Sequence, residues 1–174
     1  MSSKEGKRRQ DKHVITVKVK NNAGVLARVA SLFGRRGYNI ESLTVSATND
    51  PSISRMTVVV KGDEDILAQI IHQTAKLEES LAVYALDPAR SLYRELLLIK
   101  LSCGDATRAP LREICDIYGA KIIDLSASAM VVELTGTPHK IDAFIEILSQ
   151  YPILEMCRTG ATAMERGDHK ANAQ

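Results

Sequence analysis

An internal repeat limits what this chain can fold into. Residues 14–20, VITVKVK, alternate with period two, so Ile15, Val17 and Val19 share one face of a strand. Val25, Leu26, Val29, Leu32 and Phe33 then recur at the helical period, and the pattern stops at Arg35-Arg36-Gly37, with cations at the negative end of the helix dipole and glycine where a left-handed residue is wanted. The β-rich runs YNIESLTVSA and SRMTVVVKG follow, joined by the turn-prone TNDPS. Gly62-Asp63-Glu64-Asp65 opens a second helix with the apolar stripe Ile66, Leu67, Ile70, Ile71 and Leu77, and SLAVYALD makes a fourth strand. The same order then returns: strand LLLIKLS, a helix with Leu111, Ile114, Cys115 and Tyr118, the hairpin AKIIDLSASAMVVELTG, a helix with Thr137 as N-cap and Pro138 at N1, and strand ILEMCRT. Gly37 falls on Gly119, 82 positions further on, and that shift also carries Ile40 to Ile122 and Leu43 to Leu125.

A βαββαβ order places both helices on one face of a four-stranded antiparallel sheet. The expected fold class is therefore α+β, with two tandem ferredoxin-like modules at residues 13–87 and 95–168, joined by the linker PARSLYR (88–94). A basic tail at residues 1–12 is expected to be disordered, and residues 169–174 form a second short tail. Leu96-Leu97-Leu98-Ile99 is apolar on both faces. The back of the second sheet is accordingly expected to be covered, by a partner, by a second copy, or by the chain's own linker and C-terminal tail.

Composition narrows the function classes. With 174 residues, 45% of them hydrophobic, the chain can build packed cores without disulfide or metal staples. Cys103, Cys115 and Cys157 are an odd number with no CxxC spacing, which argues against a secreted disulfide framework and against a zinc ribbon. No apolar run reaches the roughly 18–20 residues of a membrane helix, and the first residues lack a signal-peptide core, so a cytoplasmic address without membrane association is expected. The net charge of +2 sits largely in KEGKRRQDK and Arg35-Arg36, and aromatic content is 4%, so nucleic acid is not an expected partner.

Enzyme signatures are missing by mechanism: there is no GxxxxGK[ST], GxSxG or HExxH, and the four histidines have no metal-ligand spacing. No catalytic residue, metal site or cofactor is assigned to this chain. What remains is the junction NNAGVLARV. The first N–H groups of its helix, around Gly24, Val25 and Leu26, carry the positive dipole end and suit a carboxylate, while Asn21 and Asn39 offer neutral oxygens for an ammonium. The plainer reading, Asn21-Asn22 as cap and turn, ranks first for an isolated NxxG. In the second module the same corner becomes Ala106, Thr107 and Arg108 followed by Pro110, so a seat of this kind belongs to the first module alone.

The chain resembles the ACT-domain regulatory small subunits of acetolactate (acetohydroxyacid) synthase, through NNAGVLARVASLFGRRGYNIESLTVSATNDPSISRMTVVVKGDE, RELLLIKLS, AKIIDLSA, VVELTGTPHKIDAFIEIL and RTGATAMERGD. The resemblance covers nearly everything from His13 to Asp168. It implies a non-catalytic subunit that binds a branched-chain amino acid such as valine as feedback inhibitor. It also implies activation of a separate catalytic subunit, which carries thiamin diphosphate, Mg²⁺ and FAD. By the same resemblance the first modules, as ACT domains, pair into a homodimer with the effector between them: Asn21, Gly24, Val25 and Leu26 from one chain, Asn39 and Ile40 from the other. Two other classes stay in view, an amino-acid-sensing adaptor or transcriptional regulator whose basic arm touches DNA, and a small free-standing enzyme.

Overall fold

The computed structural model describes residues 11–168, which divide into two compact units, residues 11–92 with 163–168 and residues 93–162. The first unit runs β1 (Asp11–Lys20), α1 (Val25–Arg36), β2 (Ile40–Ala47), β3 (Ile53–Gly62), α2 (Glu64–Ala75) and β4 (Ser80–Ala85), with strand order β2-β3-β1-β4. All its pairings are antiparallel. A single 3₁₀ turn, Pro88–Arg90, leads to β5 (Ser91–Ser102), α3 (Asp105–Tyr118), β6 (Lys121–Leu125), β7 (Ala129–Gly136), α4 (Pro138–Leu148), β8 (Ile153–Arg158) and the short β9 (Thr162–Glu165). The second sheet repeats the order as β6-β7-β5-β8, with β9 pairing β5. The fold is thus the expected α+β arrangement of two βαββαβ-type antiparallel sheets.

Local chemistry explains the elements. Ile15, Val17 and Val19 point to the helix side and pack with Val25, Val29, Phe33, Met56, Val58 and Ile70. Leu97, Ile99 and Leu101 do the same against Leu111, Cys115, Ile141 and Phe144. Helix α2 starts where the Asp63 carboxylate accepts from the Ile66 N–H at 3.0 Å, and α4 where the Thr137 hydroxyl accepts from the Lys140 N–H at 3.3 Å. Gly37 and Gly119 end α1 and α3 at φ 70° and 67°, a left-handed backbone that side-chained residues adopt only at a cost. Even the irregularities recur at the same shift: register breaks at Ile40/Ser42 and Lys18/Val19 reappear at Ile122/Asp124 and Lys100/Leu101.

Several boundaries differ from the sequence reading. Residues 1–10 and 169–174, read as tails, lie outside the described residues. Asp11 and Lys12, assigned to the N-terminal tail, are in β1 opposite Gly62 and Lys61. Cross-strand chemistry extends the strand there: the Glu41 carboxylate takes both Lys12 and Lys61, and those cations, Lys12 first, hold it below the usual carboxylate range. Residues 91–94 are not linker but the first rungs of β5. Strand β9 was not foreseen, and residues 163–168, read as the end of the second module, belong with the first unit. There Arg55, on the side of the sheet away from the helices, donates to the Ala163 carbonyl at 2.6 Å and to the Thr16 hydroxyl at 3.3 Å. The Arg166 N–H donates to the Arg90 carbonyl at 2.8 Å.

The back of the second sheet is mixed rather than apolar. Leu96, Leu98 and Val131 are half-buried there, and Lys100, Glu133 and Glu155 share the face by register. Lys100 pairs with Glu155 at 2.9 Å. No described helix is long and apolar enough to cross a membrane.

Candidate functional site

The corner at the end of β1 is built by three elements. Lys20 ends the strand beside β4, where its N–H donates to the Glu79 carbonyl at 2.9 Å. Asn21 then turns away, and two bonds to the β2–β3 loop hold it: its N–H donates to the Ser52 carbonyl at 2.7 Å and its amide nitrogen to the Pro51 carbonyl at 2.9 Å. That leaves the Asn21 Oδ1 as the acceptor on an exposed side chain. The loop that braces it is itself braced, since the Asp50 carboxylate accepts from the Ser52 hydroxyl at 2.6 Å and the Ser52 N–H at 2.9 Å. Those two bonds, the hydroxyl first, keep the Asp50 carboxyl below its ordinary range.

Gly24 is the N-cap of α1 at φ 84°, and no described side chain caps this helix. A Cβ built at Gly24 meets nothing within 4 Å, so the glycine answers to its left-handed backbone and not to crowding within the chain. The Val25 N–H reaches back to the Asn22 carbonyl at a long 3.4 Å. Among the described residues nothing accepts from the N–H groups of Gly24, Leu26 or Ala27. The first turn also contains no acidic residue, so the dipole charge at this end is not answered from within the helix. Val25 is buried in the core, whereas Leu26 is exposed beside the open amides. Arg28, one turn in, is committed to an ion pair with Glu79.

Asn39 and Ile40 are elsewhere. Ile40 opens β2 opposite Val60, which lies opposite His13 at the far end of β1. Seven residues of strand separate that level from Lys20, or about 23 Å at ~3.3 Å per residue. Within one chain Asn21, Gly24, Val25 and Leu26 therefore form one group, and exposed Asn39 with half-buried Ile40 forms another.

The second module shows what a closed version of this corner looks like. Gly104 precedes α3 with an ordinary extended backbone, its N–H donates to the Thr107 hydroxyl at 3.0 Å, and Asp105 supplies an acid in the first turn. Arg108 folds over the same start, bonded to Asp105 at 3.3 Å and to the Ala127 carbonyl at 3.1 Å. The sequence did not reveal the Pro51–Ser52 brace on Asn21, because the contact spans 30 positions and TNDPS reads only as a turn. No three described His, Cys, Asp or Glu residues form a metal-holding group. Cys115 is a buried thiol pushed up by that burial.

Comparison with known proteins decides the family. Residues 94–167 match the model described as the small subunit of acetolactate synthase, and residues 15–82 match the AHAS small subunit-like ACT domain. A probable acetolactate synthase small subunit from Archaeoglobus fulgidus is 46% identical over 91% of this chain and 99% of its own. The chain belongs to the acetolactate synthase small subunits. The isozyme 3 small subunit of Escherichia coli is 40% identical over 90% of the chain and 97% of its own length. The crystal structure of the small subunit from Thermotoga maritima covers 91% of the chain and 99% of its own, at 38% identity and a TM-score of 0.86. This small subunit is thus a regulatory and not a catalytic component of acetolactate synthase, and its first module is an ACT domain. A large catalytic subunit is the implied partner. Neither the DNA-binding regulator nor the free-standing enzyme weighed from sequence fits that membership.

Proposed function

We propose that this small subunit senses a branched-chain amino acid such as valine at the open start of α1, between two ACT domains, and transmits its binding to the catalytic subunit as feedback inhibition. It raises the activity of that subunit when the effector is absent. Thiamin diphosphate, Mg²⁺ and FAD are assigned to the catalytic subunit.

The observation that carries the reading is the uncapped helix start. Free N–H groups at Gly24, Leu26 and Ala27, in a turn without acid, favour a carboxylate, and the Asn21 Oδ1 is an acceptor for an ammonium. Exposed Leu26 offers apolar surface to an aliphatic side chain.

Register supports a site shared by two copies. Ala47 at the end of β2 lies opposite Ser54, which lies opposite Val19 near the α1 corner, while Ile40 marks the other end. Antiparallel pairing of two β2 edges brings Asn39 and Ile40 of the second copy to the level of Asn21 and Gly24. Residues about 23 Å apart in one chain would then face a single ligand. A ligand touching both copies stabilises their pairing by mass action.

Calorimetric titration of the purified chain with Val, Leu and Ile, followed by acetolactate-forming assays with the catalytic subunit, tests the proposal. Binding of at least one of the three is expected, with tighter self-association in its presence and lower activity of the mixture. If none of the three binds, or if the catalytic subunit responds identically with and without this chain, the reading fails.

A further inference from the structure

The strand that follows Asn39 begins with a defect. Ile40 lies opposite Val60, but Ser42 lies opposite Val59, so Glu41 is an extra residue bulged out of the β2 ladder. Ile40 is anchored on its other side, against the helix-side core. A bulge leaves its extra residue unpaired, so strand pairing alone does not set the direction of the chain where exposed Asn39 enters the sheet.

Two lysines supply what the ladder lacks. Lys12 of β1 and Lys61 of β3 stand directly opposite each other on the face away from the helices, and like charges so placed repel. The Glu41 carboxylate lies between them with one oxygen for each: its Oε2 is 2.8 Å from the Lys12 Nζ, and its Oε1 pairs with the Lys61 Nζ. The Glu41 side chain is 19% exposed, while both lysines are open to solvent. Ion pairs to exposed lysines add little stability, so the consequence of the clamp is geometric. Three strands converge on one carboxylate, and the residue they hold is the bulged one.

A bulge of this kind forms without a clamp. In β6 the register breaks in the same way between Ile122 and Asp124, and the extra residue there is exposed Ile123, which can hold no cation. The charged version stands in the module that presents Asn39 and Ile40. We propose that Glu41, held by Lys12 and Lys61, is a positioning residue of the effector site, fixing Asn39 and Ile40 for a ligand at the α1 corner of a second copy. The proposal rests on the shared site described above. Because the carboxylate is engaged on the back of the sheet, Glu41 acts through the backbone of its neighbours and not by touching the ligand.

Calorimetric titration of the full-length chain with valine, leucine and isoleucine, run beside urea melts, tests it. Glu41→Gln keeps the shape of the side chain but removes its charge, leaving two lysines facing each other. For whichever of the three amino acids the unaltered chain binds, its Kd should rise about fivefold or more. Glu41→Ile copies the bulge of β6 and should fold with the same loss of affinity. The charge-reversed triple Lys12→Glu/Glu41→Lys/Lys61→Glu rebuilds the clamp with opposite signs and should recover most of the binding. Leu43→Ala removes a core contact from the same strand without touching the clamp, so it should lower the urea midpoint more than Glu41→Gln does and affinity less. The proposal is overturned if Glu41→Gln binds as tightly as the unaltered chain, if the reversed triple recovers nothing, or if affinity simply follows the urea midpoint across the variants. Should the unaltered chain bind none of the three, the effector site fails and this proposal with it, whereas normal binding that Glu41→Gln leaves intact removes the clamp's role alone.

Discussion

The two modules share a frame down to the position of their bulges, yet they treat the equivalent corner in opposite ways. In the first, α1 begins at a left-handed glycine with open N–H groups and no acid. In the second, α3 begins with a hydroxyl acceptor, an aspartate and an arginine folded over it. The edges carry a second contrast. His13 of β1 corresponds to Glu95 of β5, and Ala85 of β4 to Arg158 of β8, so a histidine bonded to the Gly62 carbonyl at 3.1 Å stands where the second module has an ion-pair network. The two modules share what the backbone needs and differ in what it does not. One copy invests its polar groups in internal closure, while the other leaves them for a ligand.

The largest effect should come from breaking the closed module. The Glu95 side chain is 6% exposed and bonded to Arg158. Arg158→Ala strands that carboxylate and should cost about 3–5 kcal/mol. Denaturant melts combined with hydrogen exchange should show protection lost in residues 93–162 and kept in α1 and β3. Uniform loss across both units would mean that they do not unfold separately.

Next in size is a matched pair at the two corners. Gly24→Asp puts a carboxylate where the ligand's own belongs and should weaken valine binding by at least about tenfold, a free-energy change within the ~1–3 kcal/mol of ordinary allosteric coupling. Activation of the catalytic subunit should survive. Gly104→Asp, at an extended backbone with nothing within 4 Å of a Cβ, should leave binding unchanged. Equal effects of the two variants on calorimetric titrations would dissolve the contrast.

Removing a cap is milder. Asp63→Ala frees the Ile66 N–H and should destabilise the first unit by about 1 kcal/mol in urea melts. Alanine at Asn21 deletes the Pro51 bond and should reduce effector affinity more than stability, which is the opposite order to Asp63→Ala.

Acid should give the smallest change. Asp50 is held below its ordinary carboxylate range by Ser52 in the folded chain, so the turn is fully braced above the unfolded value near 3.8 and loosens as pH falls through the lower folded value. NMR shifts of Ser52 and Asn21 should follow that titration while α3 stays still. A Ser52 titration at or above 3.8 would show that the brace does not form.

Much of this was legible in the sequence because the signals are local. Period-two runs, helical stripes, Gly37, Gly119 and Thr137 each report on their immediate neighbours, so element order and helix ends could be read directly. What escaped depends on distant partners. Asp11 and Lys12 join β1 because Glu41 and Lys61 sit across from them. Residues 91–94 looked like a linker because nothing in PARSLYR itself shows extended pairing. At the corner, the residue types could be named from NNAGV, but the brace on Asn21 and the wide separation of Asn39 from Gly24 follow only from register.

The return of residues 163–168 to the first unit has a consequence for biosynthesis. The ribosome makes the ACT domain's strands and helices first, but the piece that Arg55 grips at Ala163 is translated after the whole second module. Until then Arg55 lacks its Ala163 acceptor, so the nascent ACT domain gains this contact only once the second module has been translated.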